Sequence, residues 1–423
     1  MKRAIKSGLL ILILLGAPNV WSYPLDGYPA TGVLRLEGFR LAQQGKVQGI
    51  RVPSGAMLGL DQVDLRLNEQ SDFQIPAIDS EFLAKIENLL GDDADNYGVA
   101  VLDLTDAGSP RYVEHRGDYQ ANPGSVGKLV VALGVFQALA DLYPNDVGKR
   151  QEILRDTLVT ADQFIQSDHH KVPLWTLESK KIDYRPIQIG DRANLWTYLD
   201  WMLSASSNAA ASIVIKELML LVQYGRDYPV SIEVADTFFK ETPRKELAQL
   251  LSKSLQEPLT RNGLDLEHLR QGSFFTWKGK QLVPGTTSYA SPRELMRFLV
   301  KMEQGQLVDP FSSREIKRLI YMTQGRIRYA SAPVLFPAAV YFKSGSLYKC
   351  KAEPNFKCGK YMGNVVNMLN SVAVVEYPAD DRKYYYMVVV MSNVLRKNSA
   401  VAHQTLATRI HRLIEAHHSA KKD

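Results

Sequence analysis

Ser125 and Lys128 stand three residues apart at the head of an apolar run, Leu129 to Leu142. Asn122-Pro123-Gly124 just before them reads as the start of a helix: a short polar cap, then a proline whose fixed φ suits the first turn. Residues three apart share one helix face, so the spacing predicts a hydroxyl and an amine side by side. A serine becomes a nucleophile when a neighbouring base takes its proton. A lysine can be that base only when neutral, and its ordinary pKa of about 10.4 falls by ~3–5 units on burial or beside another cation. The chemistry open to such a pair is acyl transfer through a serine ester. The unpaired N–H groups at the helix start favour the negative charge that develops on oxygen.

Two further short patterns follow. Ser206-Ser207-Asn208 lies in the stretch Trp201 to Ala211, and Lys343-Ser344-Gly345-Ser346 follows the β-prone run Ala339-Val340-Tyr341-Phe342. Each pattern alone has a plain structural explanation, such as a capping serine or a solvated edge-strand lysine. Together and in this order, S-x-x-K, S-x-N and K-[ST]-G form the signature of class A β-lactamases and penicillin-binding proteins. From about Tyr97 to His417 the chain resembles that superfamily of serine β-lactamases and D,D-peptidases.

The resemblance implies roles residue by residue. Ser125 is the nucleophile, and Lys128 is its base or part of the proton relay. Ser206 shuttles a proton to the leaving nitrogen. Asn208 hydrogen-bonds the substrate amide and also holds Lys128. Lys343 brings positive charge near Ser206 and the substrate carboxylate, which Ser344 hydrogen-bonds. Gly345 lets the strand approach closely, and the N–H groups of Ser125 and Ser346 form the oxyanion hole. Class A enzymes usually carry Asp where Ser207 stands, which puts one structural hydrogen bond of the family in question.

Hydrolysis of the acyl-enzyme is the next issue. By the same resemblance, a class A enzyme activates its water with a glutamate in an E-P-x-x-N loop. Glu257-Pro258-Leu259-Thr260-Arg261-Asn262 matches the letters, but it lies too far before Ser291-Pro292. Glu257 reads better as the end of a helix inside an inserted segment, Thr242 to Leu269. Glu267 is a weaker nominee, and Ser273 to Lys280 holds no acid. The reading is a serine acyl-transfer enzyme acting on an amide, a β-lactam or a peptidoglycan-like substrate. The alternatives are a D-alanyl-D-alanine peptidase-like enzyme with slow deacylation and a non-catalytic protein that binds cell-wall fragments.

The elements that must position these residues follow from periodicity. Tyr97 to Asp103 reads as a strand with a short partner at Arg111 to Glu114. A mostly helical middle runs from Val126 to about Tyr321. Three β-rich runs follow, at Ala338 to Leu347, Val365 to Tyr377 and Tyr384 to Asn393, and a closing amphipathic helix spans Ala400 to His417. This order is α+β. The resemblance implies a five-stranded antiparallel sheet with a helical subdomain, and a site where the two meet.

Lys2, Arg3 and Lys6 precede an apolar stretch from Gly8 to Gly16, and Val20-Trp21-Ser22 fits a cleavage site. Residues 1–22 therefore read as a secretory signal peptide, whose apolar run is too short to span a membrane, which takes roughly 20 apolar residues. The expected location is periplasmic or secreted, with no stable membrane anchor. In an exported chain with only two cysteines, Cys350 and Cys358, a disulfide is expected. It is worth roughly 2–3 kcal/mol in the chain-entropy view.

Residues 23–77 read as an N-terminal extension, strand-like at Val33 to Leu36 and Val63 to Leu67, and residues 78–423 as the hydrolase domain. Asp79 is the expected N-cap of a helix reaching Leu90. The formal net charge is +6, three of it from the leader cations. No basic cluster points to nucleic acid, and no glycine-rich loop points to phosphate. Asp168-His169-His170 reads as a surface loop rather than a metal site. Neither cofactor nor metal is expected, the partner is a small-molecule or peptidoglycan-derived substrate, and the oligomeric state is open.

Overall fold

The computed structural model describes residues 21–49 and 51–420; most of the expected leader lies outside the described residues. The main elements, in chain order, begin with helices α1 (Leu34–Gln43) and α2 (Ser80–Leu90) and strands β1 (Tyr97–Asp103) and β2 (Arg111–His115). Helices α3 (Lys128–Leu142), α4 (Leu195–Leu203), α5 (Asn208–Tyr224), α6 (Arg244–Arg261), α7 (Pro292–Glu303) and α8 (Pro310–Leu319) follow. Strands β3 (Ala339–Lys349), β4 (Val366–Tyr377) and β5 (Tyr384–Asn393) and helix α9 (Ser399–Ala420) close the chain.

The five strands form one antiparallel sheet in the order β3-β4-β5-β1-β2. The two early strands thus lie beside the last of the late ones, and β3 is an edge. Alternation sorts the side chains onto two cores. Ala100 and Leu102 of β1, with Met387 and Val389 of β5, face the helical layer that contains α3 and α5. Val99, Val101, Val388 and Val390 face α2 and α9. Both faces are covered, which is why these strands read as continuous apolar runs rather than as an alternating pattern.

Helix α3 is buried on nearly every side. With the turn before it, the stretch Gly124–Leu142 is long and apolar enough to suit a membrane span, but 78% of its apolar window is buried inside the protein. The expected cap at Asp79 is present, and serines cap later helices. Asp79 accepts from Phe82 N, Ser207 from Ala210 N, and Ser291 from Glu294 N with a proline beside it. Three small two-stranded sheets interrupt the helical middle, at Leu158–Thr160 with Arg192–Asn194, Lys171–Trp175 with Ile182–Pro186, and Leu269–Arg270 with Tyr289–Ala290.

The N-terminal stretch departs from expectation in form. Val33 to Leu36 is not a strand: α1 starts at Leu34, because Val33, Leu36 and Phe39 recur at helical spacing and are buried. Val63, Leu65 and Leu67 do alternate inward, but no neighbouring strand pairs with them. Their backbone is held instead by Glu303, whose carbonyl accepts from Leu67 N and whose carboxylate accepts from Arg66 N. Tyr23, Val33, Leu36, Leu58, Val63 and Leu67 join the same core as α3. Trp21 and Ser22 pair with Met322–Gln324.

Two buried charge clusters tie this stretch down. Arg66 reaches Glu376, and Lys317 lies 2.8 Å from both Glu303 and Glu376, with these last three side chains fully buried. Arg35 of α1 forks onto Asp200 of α4, with Nε 2.5 Å from Oδ2, and also donates to the Ser22 carbonyl. The Asp200 carbonyl in turn accepts from Ser204 N and Ser204 Oγ, and Trp201 O accepts from Ser207 N. The Ser206 loop thus hangs from the end of a helix that Arg35 anchors.

Arg35→Ala should therefore lower unfolding stability by about 3–5 kcal/mol, because it leaves a buried carboxylate without its partner. Urea denaturation of the variant measures this; a loss under about 1 kcal/mol would mean the pair is dispensable.

Candidate active site

Ser125 sits in a 3₁₀ turn, Gly124–Gly127, that leads directly into α3 at Lys128. Asn122 Oδ1 accepts from Gly124 N, and Gly124 turns the chain at φ +54°, where a glycine costs least. The Lys128 Nζ lies 2.9 Å from Ser125 Oγ, 2.6 Å from the Ser206 carbonyl and 2.8 Å from Asn208 Oδ1. Asn208 is the first residue of α5, so the starts of α3 and α5 meet at this amine.

Burial pushes the Lys128 amine down to about 7, with Asp168 pulling weakly the other way. Its three neighbours determine what the neutral form does. Two of them, the Ser206 carbonyl and Asn208 Oδ1, can only accept, and a neutral amine has two N–H groups to give them. The remaining lone pair faces the one neighbour that can donate, the Ser125 hydroxyl. The geometry can thus take the proton from Ser125.

Ser206 occupies the gap between two lysines. Its carbonyl receives Lys128, and its Oγ accepts from Lys343 Nζ at 2.9 Å. Facing both ways requires a left-handed backbone, φ 58°, which is rare for a serine and is the kind of local strain found at functional sites. Lys343 is buried rather than solvated. Burial, then the nearby Lys128 and Arg328 charges, hold its amine well below the ordinary lysine value.

The edge strand β3 presses its Gly345 against the Ser125 turn. A Cβ at Gly345 would stand 2.2 Å from Pro123 O and 2.6 Å from Ser125 N, and one at Gly124 would stand 3.2 Å from Ser346 N. The absence of both side chains brings the Ser125 and Ser346 amides to one narrow gap. Asn370 of β4 ties the turn down by donating to Asn122 O at 2.8 Å.

Two residues that sequence reasoning missed complete the site. Arg328 donates to Ser344 Oγ at 2.5 Å and to Ser346 Oγ at 3.2 Å. It stands near Arg326, which serves the backbone carbonyls of Leu335 and Ala338. Two arginines before a strand were the only signal, and nothing local separates their roles.

Asp168 is the other. The segment is the expected surface loop, but the Asp168 side chain turns inward: it is 4% exposed and accepts from Ser207 Oγ and Ala209 N, both at 2.9 Å. Burial opposes its ionisation, but hydrogen bonds from His170 and the Ala209 amide outweigh this and hold the carboxyl well below the usual range. A carboxylate from a distant loop thus braces the S-x-N segment through Ser207.

None of the hydrogen-bond partners of Lys128 is a carboxylate. Glu257 is exposed on α6, beside Gly134, Gln137 and Asp141 of α3. That is roughly 10–20 Å along the helix from Lys128, at about 1.5 Å per residue. Glu267 is exposed too. The ring of Phe275, centred 4.9 Å from the Lys128 Nζ, walls that side of the amine instead. Beyond β3, Cys350 and Cys358 form the expected disulfide.

A family model described as the beta-lactamase enzyme family matches residues 81–414. Among solved structures, the fold is similar to that of TLA-3 extended-spectrum beta-lactamase, at 13% identity and a TM-score of 0.52, covering 79% of this chain and 99% of that one. A beta-lactamase from Chitinophaga pinensis DSM 2588 matches at 16% identity, covering 79% of this chain and 98% of that one, with a TM-score of 0.49. PBP-A matches at 14%, covering 81% and 100%, with a TM-score of 0.48. Comparison with curated proteins returns no match.

Gly345→Ala should slow acylation of Ser125 by at least about 100-fold, the typical loss when one oxyanion donor is displaced. The rate of covalent adduct formation with a β-lactam measures it, with circular dichroism to verify folding. A rate within threefold of wild type would mean that the strand tolerates the methyl group.

Proposed function

The chain belongs to the beta-lactamase enzyme family, and from that premise we propose that it is an exported serine hydrolase that acylates Ser125 with a carboxylate-bearing β-lactam or peptidoglycan-like amide and releases the acyl group slowly. The observation that carries the reading is the neutral-leaning amine of Lys128 with its lone pair directed at Ser125. A pure binding protein has no use for a nucleophile and base tuned to one another. The export reading rests on the leader-like residues 1–22 together with the disulfide.

In this reading Lys128 takes the Ser125 proton as Oγ attacks the carbonyl carbon. The amides of Ser125 and Ser346 receive the oxyanion, each such donor being worth about 2.7–4 kcal/mol. Ser206 Oγ gives its proton to the leaving nitrogen as the C–N bond breaks and regains one from the protonated Lys343 that donates to it, leaving the Ser125 proton on Lys128 until the two lysines re-equilibrate. Asn208 orients the substrate amide. The substrate carboxylate lies against Ser344 and Arg328, and its charge favours the protonated form of Lys343 behind them.

Slow release follows from what surrounds Lys128. An ester is hydrolysed quickly when a base activates water beside it, and here an aromatic ring stands next to the amine where a carboxylate would be needed. This favours D,D-peptidase-like behaviour over efficient β-lactam hydrolysis.

Incubation with benzylpenicillin, followed by intact mass, tests the reading. The expected result is an adduct that persists for hours and is absent from Ser125→Ala. Rapid turnover of the drug would overturn slow release, and no adduct would overturn the serine assignment.

Lys128→Ala should reduce the acylation rate by about 10²–10⁴-fold, the usual contribution of a positioned base. The pH dependence has a definite sign. The base form of Lys128 gains as pH rises through about 7, so acylation should climb to a plateau above that value. An ascending limb centred near the ordinary lysine value would mean that Lys128 is charged at neutral pH and is not the base.

A further inference from the structure

We propose that Tyr361, three residues beyond the loop closed by the Cys350–Cys358 disulfide, is the positioning residue that sets Arg328 for carboxylate recognition, so that preference for anionic acyl donors is governed from outside the catalytic strand. The inference rests on Ser125 being the acylated residue, as proposed above.

Arg328 is an unusual residue to rely on. Its backbone is left-handed, φ 52°, where a side chain is strained. Its guanidinium is held by three hydroxyls, those of Ser344, Ser346 and Tyr361, with no carboxylate among its hydrogen-bond partners. Its Nε is buried without a partner. A guanidinium presents five donors in a planar fork suited to a carboxylate. Half-buried among hydroxyls alone, it is a cation without its anion, and the nearest open partner is a ligand at Ser344.

Tyr361 supplies the firmest hold on the Nη2 end. Its Oη lies 2.9 Å from that nitrogen, against 3.2 Å for Ser346 Oγ, and the guanidinium carbon sits 4.8 Å from the centre of the Tyr361 ring. Burial works against ionisation of the phenol, but Arg328 and Lys360 outweigh it and hold its pKa below the ordinary value, which suits an oxygen that accepts from a cation.

Tyr361 is itself fixed from outside the catalytic strand. Its carbonyl accepts from Ser399 N at 3.0 Å and from Ser399 Oγ at 3.3 Å, at the start of α9. Its ring meets Tyr348 edge-on at 6.1 Å. Tyr361 follows the bridged Cys358 by three residues, and the neighbouring Gly363 carbonyl takes the Arg396 amide. The helix start and the Tyr348 ring therefore set the position of one phenol oxygen, and through it one end of the guanidinium, on a segment that the disulfide tethers three residues upstream.

The test compares acylation by benzylpenicillin with acylation by its neutral methyl ester, followed by intact mass, in wild type, Arg328→Ala, Tyr361→Phe and the Cys350→Ser/Cys358→Ser double variant. Wild type should prefer the acid, and Arg328→Ala should abolish that preference. Tyr361→Phe keeps the ring and loses one hydrogen bond to a charged group, so the acid-to-ester ratio should fall about tenfold. The fall should lie in apparent binding rather than in the limiting acylation rate. The double serine variant should move the ratio the same way by a smaller factor. If Arg328→Ala collapses the ratio but Tyr361→Phe leaves it unchanged, Arg328 acts without Tyr361 and the inference is overturned. If wild type forms no adduct with either compound, the Ser125 assignment fails and takes this inference with it.

Discussion

One buried amine organises this molecule. Lys128 is fully buried at the start of a helix enclosed on nearly every side, where a charged ammonium is costly to hold. Two carbonyl oxygens, from Ser206 and Asn208, and one hydroxyl, from Ser125, are what the fold provides in place of water. That choice of neighbours makes the neutral form acceptable and aims its lone pair. The requirement propagates outward: α3 and α5 must start at the same point, and Ser206 must accept a strained backbone to present its carbonyl on one side and its hydroxyl on the other.

Each of those demands is met by a contact from elsewhere in the chain. Asp168 reaches in from a loop to hold Ser207 Oγ and Ala209 N, so the start of α5 is braced by a carboxylate about forty residues away. Arg35 anchors α4 through Asp200, and the Ser206 loop hangs from the end of that helix. Gly345 lets β3 close on the Ser125 turn, and Asn370 ties that turn to β4, the next strand in. The N-terminal stretch therefore contributes to the same rigidity as the helical layer, through buried charges as well as apolar side chains. Rigid support of this kind is what keeps a catalytic group within a few tenths of an ångström of its partner.

The electrostatics divide the site into two regions. Around Lys128 lie neutral acceptors and the Phe275 ring, an environment that depresses the amine. Around Ser344 lie the Arg328 guanidinium and the Lys343 amine, whose hydrogen-bond partners are hydroxyls and a backbone carbonyl rather than carboxylates. The first region suits proton abstraction and the second suits an anionic ligand. The two meet at Ser206, which touches both lysines.

Much of this was legible in the chain alone. The three short motifs, their order, the five strands, the closing helix and the disulfide are local facts. Spacing places Ser125 beside Lys128, apolar runs mark strands covered on both faces, and two cysteines in one short loop can reach each other. Other features took the tertiary structure to decide. Val33 to Leu36 reads as strand-like because four residues cannot separate a helical from an extended repeat, and the burial of Phe39 shows the repeat to be helical. Arg328, Asp168 and Phe275 carry no pattern of their own. Each matters because folding brings it to Ser344, Ser207 or Lys128 across a long stretch of sequence, and spacing along the chain holds no information about a contact of that kind.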